Sequence, residues 1–160
     1  MRLFVAIELT EEMKTAITGT MHELKKAGVK GNYTPKQNLH LTLAFIGEMK
    51  DASAVKEAVR KVDVKSFRLA ISDMGSFGDL LYVGMKGNQG MANTVKNVRA
   101  ALSQAGIPFK DEKFVPHITI IRKFSGSYKG VKAPAGEMMV KEIYVMKSED
   151  KNGKRVYTKI

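Results

Sequence analysis

The stretch that decides the fold is Asn38-Leu39-His40-Leu41-Thr42-Leu43-Ala44-Phe45, because its pattern returns later as Pro116-His117-Ile118-Thr119-Ile120-Ile121-Arg122. Each copy reads His-aliphatic-Thr-aliphatic. In a strand, alternate side chains share a face. His40 and Thr42 therefore project one way, while Leu41 and Leu43 point into a core; His117 and Thr119 stand in the same relation to Ile118 and Ile120. A lone His-x-Thr on a strand is more often a satisfied core or surface histidine than a catalyst. Two copies in a chain with 3 histidines are a different matter. They point to two similar lobes, each presenting its motif strand to a shared cleft.

Outward from the motifs, the chain alternates short strands and amphipathic helices. Residues 2–8 read as a strand with apolar side chains on both faces. Thr10 caps a helix with Glu11 and Glu12 in its first turn, and the apolar stripe from Met13 to Ala27 ends at Gly28. A second helix is expected over 51–62. Strands over 67–74 and 80–85 form a hairpin through 75–79, and a third helix carries Met91, Val95, Val98 and Leu102 before stopping at Gly106. Residues 114–122 read as a strand, 125–136 as a loop. A closing hairpin pairs 140–148 with 154–160 around Asp150-Lys151-Asn152-Gly153. Strands that cluster in hairpins as well as alternating with helices predict an α+β fold. No linker divides the chain, so residues 1–160 are expected to form one bilobal domain.

The 160 residues carry 27 Lys+Arg against 16 Asp+Glu, a net charge of +11, with 44% hydrophobic residues. That is enough apolar material for a core. Cysteine is absent, which excludes disulfides, thiolate nucleophiles and Cys-ligated zinc. No apolar run approaches the ~20 residues of a membrane span. A soluble, cytoplasmic, monomeric protein is the expectation, and the positive charge favours a polyanionic partner. Lys25, Lys26, Lys30, Lys110, Lys113, Lys123, Lys129 and Lys132 supply either a rim that attracts RNA ends or an ordinary solvated face.

Imidazole titrates near neutrality, so one histidine can hold a proton while the other lacks one. Threonine hydroxyls and nearby cations can hydrogen-bond anionic oxygens. An acid, a base and an anion cradle meet the needs of in-line phosphoryl transfer. No carboxylate or third histidine accompanies the motifs at ligand spacing, so neither a metal nor another cofactor is expected. Phe4 and Phe45 read equally as nucleobase platforms and as core packing. His22 reads as a solvated surface residue.

These motifs, with the opening Arg2-Leu3-Phe4-Val5-Ala6-Ile7 and the segments from Tyr33-Thr34-Pro35 to Gly47 and from Phe114 to Arg122, resemble the two-histidine phosphoesterase superfamily. The likeness is specifically to its RNA 2′,3′-cyclic phosphodiesterases, which include 2′-5′ RNA ligases. Tyr33 stands where relatives often have Trp, and Ile120-Ile121 replaces a commoner Leu-Ala. The resemblance implies two pseudo-symmetric lobes of antiparallel sheet with helices outside and the site in the cleft between them. It implies His40 as proton donor to the leaving oxygen, His117 as the base that activates water, and Thr42 and Thr119 as ligands of the non-bridging oxygens. Arg122 sits at an odd offset from His117 and would face away on an ideal strand; the family's use of an arginine there implies that the strand bends. The implied activity is hydrolysis of 2′,3′-cyclic phosphate at RNA ends, tRNA fragments among them, to a 2′-phosphomonoester, with 2′-5′ ligation as its reversal. The alternatives are an RNA-end binding module without chemistry, and a phosphodiesterase of small cyclic nucleotides or 2′-5′ oligonucleotides.

Overall fold

The computed structural model describes residues 1–160. The elements run β1 (Arg2–Glu8), α1 (Glu11–Lys26), β2 (Lys30–Tyr33), a 3-10 turn (Lys36–Asn38), β3 (His40–Glu48), α2 (Ser53–Arg60), β4 (Phe67–Phe77), β5 (Leu80–Met85), α3 (Gln89–Gln104), β6 (His117–Ser125), β7 (Glu137–Val140), β8 (Tyr144–Lys151) and β9 (Lys154–Lys159). They form two antiparallel sheets, ordered β3-β1-β8-β9 and β2-β6-β5-β4-β7. This is the expected α+β architecture.

Local chemistry sets the helix ends. The Thr10 side chain accepts the Met13 N–H at 3.2 Å, and Asn88 does the same for Met91 at 2.8 Å. Gly28 and Gly106 follow their helices at φ 88° and 70°, left-handed conformations open to glycine. The closing hairpin turns through Asn152 and Gly153, both at positive φ, as a two-residue turn requires.

Several boundaries differ from the sequence reading. The strand expected from residue 114 begins at His117. The preceding residues stay irregular, and the Pro116 carbonyl accepts the Met85 N–H at 3.0 Å. Strand β4 runs on to Phe77, so the hairpin turn shrinks to Gly78-Asp79. The stretch 140–148 divides into the end of β7 and the start of β8. β2 was not anticipated, since Lys-Gly-Asn-Tyr has no apolar alternation; it is an edge strand held by pairing with β6.

In each sheet a motif strand lies beside a partner: β1 pairs with β3, and β5 with β6. α2 packs against β8 and α3 against β3, while Met13 of α1 lies against Gly136, just before β7. One contiguous cluster of 33 buried residues takes side chains from both sheets. Leu41, Leu43, Ile118 and Ile120 belong to it at 1% exposure or less. Burial of each side chain is worth roughly 2–3 kcal/mol, so the motifs' outward residues ride on firmly seated backbone.

Candidate active site

Both motif histidines are held the same way. His40 Nδ1 lies 2.7 Å from the Asn38 carbonyl, and His117 Nδ1 lies 2.6 Å from the Val115 carbonyl. A carbonyl only accepts, so each Nδ1 carries a hydrogen and each Nε2 is the nitrogen left for chemistry. His40 Nε2 is 2.9 Å from the Thr42 hydroxyl, which donates to the neutral ring. Buried Asn38 also donates from Nδ2 to the Arg155 carbonyl at 2.9 Å, fastening the approach to β3 onto β9.

The odd offset of Arg122 is resolved by a β-bulge. Leu81 pairs with Ile121 but Tyr82 pairs with Thr119, leaving Ile120 as an extra residue. Ile120 and Ile121 are consequently both buried, and Arg122 comes out on the face of His117 and Thr119. β3 does the same: Val5 pairs with Ala44 and Ala6 with Thr42, Leu43 is extra, and Phe45 returns to the face of His40. Donors outside the paired strands serve both bulges. Thr34 gives its N–H to the Ile120 carbonyl at 2.8 Å and its hydroxyl to the Thr119 carbonyl at 3.1 Å. An Arg99 Nη reaches the Leu43 carbonyl at 3.5 Å, and the Lys110 N–H meets the Phe45 carbonyl at 2.8 Å.

The two strands approach each other across the junction of the sheets. Burial holds the His40 pKa below the usual imidazole value, against the opposing pull of its Asn38 hydrogen bond, and the positive charges of Arg122 and His117 lower it further. The contact between β3 and β6 sets the two motifs and the arginine on neighbouring strands.

Aromatic rings surround both imidazoles. Phe4 and Tyr157 stand 4.9 and 5.0 Å from His40, and Phe77 and Tyr82 stand 5.3 and 5.5 Å from His117. Phe4 is 4% exposed whereas Phe45, 6.2 Å from it, is 47% exposed. Tyr157, Phe77 and Tyr82 were not singled out from sequence. Each reaches its histidine through long-range pairing, although Tyr82 opposite Thr119 follows once β5 is set beside β6.

A cavity of about 110 Å³ adjoins His40 and is lined by Lys14, Asn38, Tyr157 and Lys159 among others. A larger one of about 660 Å³ lies between α2 and β8, away from both motifs. Chemistry and not volume locates the site. Of the lysines considered for a rim, Lys26 pairs with Glu23 at 3.5 Å, Lys110 with Glu112 at 3.6 Å, and Lys25 lies over the Tyr33 ring at 4.7 Å. Tyr33 itself donates its hydroxyl to the Val29 carbonyl at 2.6 Å, and His22 is exposed.

Two antiparallel sheets, each offering a His-x-Thr pair toward the other, define the class of the two-histidine phosphoesterases. The chain belongs to the LigT like Phosphoesterase family, whose pattern matches residues 7–86. An RNA 2′,3′-cyclic phosphodiesterase of Methanocaldococcus jannaschii is 30% identical over 92% of this chain and 91% of its own length. One of Thermotoga maritima is 32% identical over 76% and 70%. The apo crystal structure of E. coli LigT covers 99% of this chain and 94% of its own, with a TM-score of 0.85 and 27% identity. The same E. coli protein has been solved with 3′-AMP.

Proposed function

We propose that this chain is an RNA 2′,3′-cyclic phosphodiesterase, a hydrolase that opens the cyclic phosphate at an RNA 3′ end and leaves a 2′-phosphomonoester. The observation that carries the reading is the pair of Nε2 atoms, one from each sheet, with Arg122 turned onto their face by the bulge. The activity named for the relatives agrees with it. His117 Nε2 takes a proton from water, whose oxygen attacks phosphorus. The bond to the 3′ oxygen breaks, and His40 Nε2 supplies that oxygen's proton. Thr42, Thr119 and Arg122 hold the equatorial oxygens as charge builds on them. Phe45 offers its exposed ring to the terminal base, while Phe4 backs the His40 imidazole.

The whole of residues 1–160 acts as one bilobal unit in this reading, since each lobe supplies one half of the acid–base pair. No metal takes part. No helix is long and apolar enough to cross a membrane. The test is to incubate the protein with an oligoribonucleotide ending in 2′,3′-cyclic phosphate, with and without EDTA, and to identify the product. The expected result is a 2′-phosphate formed at an undiminished rate in chelator. A 3′-phosphate product, or loss of activity restored by one divalent ion, would overturn the mechanism.

The depressed His40 pKa has a signed consequence for pH dependence. His40 must be protonated to act as the acid, so activity falls as pH rises through its pKa. In the free enzyme burial and the Arg122 cation hold that pKa down, so this limb of kcat/KM lies below about pH 6.5. A bound phosphate anion favours the imidazolium, so the same limb in kcat lies at higher pH. Coincident limbs in the two profiles would remove His40 from the acid role.

A further inference from the structure

Phenylalanines Phe45 and Phe77 are the two exposed aromatics among the large hydrophobic side chains, at 47% and 43%. They lie at opposite halves of the site, Phe45 on the strand of His40 and Phe77 beside His117. Beside His40, Phe4 is 4% exposed and Tyr157 half-buried, whereas beside His117 Phe77 is exposed and Tyr82 half-buried. Phe77 lies against Tyr82 with centroids 4.5 Å apart and planes 30° apart, and both stand steeply to the imidazole, at 88° and 64°. The neighbouring backbone is shaped for this stack. Tyr82 pairs with Gly75, and a Cβ at Gly75 would fall 2.5 Å from the tyrosine oxygen. A bare backbone at Gly75 thus gives the Tyr82 ring room to lie across β4 and under Phe77.

We propose that Phe77, stacked on Tyr82 beside His117, is a second nucleobase subsite, holding the nucleoside whose hydroxyl takes the place of water as nucleophile. This rests on the function proposed above. In-line displacement puts attacking and leaving oxygens on opposite sides of phosphorus. The terminal nucleotide's 3′ oxygen faces His40, so whatever is attached to the attacking oxygen lies on the side of His117. An exposed phenyl ring there is a sequence-tolerant platform for a base. The step balances: the acceptor's 5′-hydroxyl gives its proton to His117 and its oxygen to phosphorus. The P–O3′ bond breaks, and His40 protonates the 3′ oxygen. The product is a 2′-5′ diester, with no oxidant or reductant involved.

The experiment supplies the full chain with an RNA ending in 2′,3′-cyclic phosphate and a 5′-hydroxyl oligoribonucleotide whose first base is 2-aminopurine. Fluorescence reads stacking of the acceptor, and product analysis reads the ratio of transfer to hydrolysis. In Phe77→Ala the acceptor should bind roughly 5- to 100-fold more weakly, the range expected for one lost base–aromatic stack. The transfer-to-hydrolysis ratio should fall about as far, and Phe77→Trp should restore both. Unchanged acceptor affinity, an unchanged ratio, or hydrolysis without any transfer at saturating acceptor would each overturn the subsite. A wild-type protein that hydrolyses nothing would refute the proposed function instead, and acceptor quenching in wild type against Phe77→Ala would still decide the subsite.

Discussion

His40→Ala and His117→Ala each lower turnover of a 2′,3′-cyclic phosphate end by at least ~10²-fold, the lower bound for removing a general acid or base. The imidazoles differ in their proposed roles, His40 as acid and His117 as base, but are held alike. Each is fixed through Nδ1 to a backbone carbonyl two residues upstream, so its loss removes a proton carrier while the paired strand stays in place. The residues seating the motifs, Leu41, Leu43, Ile118 and Ile120, point the other way into the core. The thermal midpoint should therefore move little, and circular dichroism melts beside initial rates check both halves of the expectation. A variant that melts early yet keeps its activity per folded molecule would make that histidine structural.

Arg122→Ala lowers the rate by roughly 10²- to 10³-fold, the scale of losing one preorganised donor to developing charge. Arg122→Lys recovers only part, because an ammonium cannot reproduce the guanidinium fork. A second readout separates this from a general loss of positive charge. The Arg122 cation is one of the causes that lower the His40 pKa. Removing it raises that pKa, so the basic limb of kcat/KM moves to higher pH in Arg122→Ala. A rate loss with no movement of the limb would place Arg122 outside the site. Arg122 is exposed, so no change in folding is expected.

Much of this was legible in the chain. The clustering of strands in hairpins carried the α+β reading and the duplicated His-x-Thr spacing the two-lobed one, and the cap at Thr10 and the glycine stops set helix limits that the structure keeps. What was hidden is what depends on partners far away in sequence. β2 exists because β6 offers it an edge, and nothing in Lys30-Gly31-Asn32-Tyr33 itself demands a strand. The start of β6 at His117 and not Phe114 reflects pairing of Gly84 with His117, the last match in that register. Tyr157 meets His40 from the far end of the chain, across a sheet whose order β3-β1-β8-β9 no local pattern states. Arg122 was the instructive residue: alternation alone pointed it away from His117, and the extra Ile120 reverses that answer.

A strand's sidedness is a matter of parity, and each bulge changes the parity once. The residue five places after each motif histidine is thereby turned onto that histidine's face while owing nothing to the core. Before the bulge, the letters are dictated: aliphatic inward, imidazole and hydroxyl outward. After it, the frame prescribes a direction but no identity. This chain sets a phenyl ring there in one lobe and a guanidinium in the other. In the proposed reaction a near-symmetric scaffold thus meets a substrate with no symmetry at all, and the difference between recognising a base and gripping a charge falls on a single pair of equivalent positions.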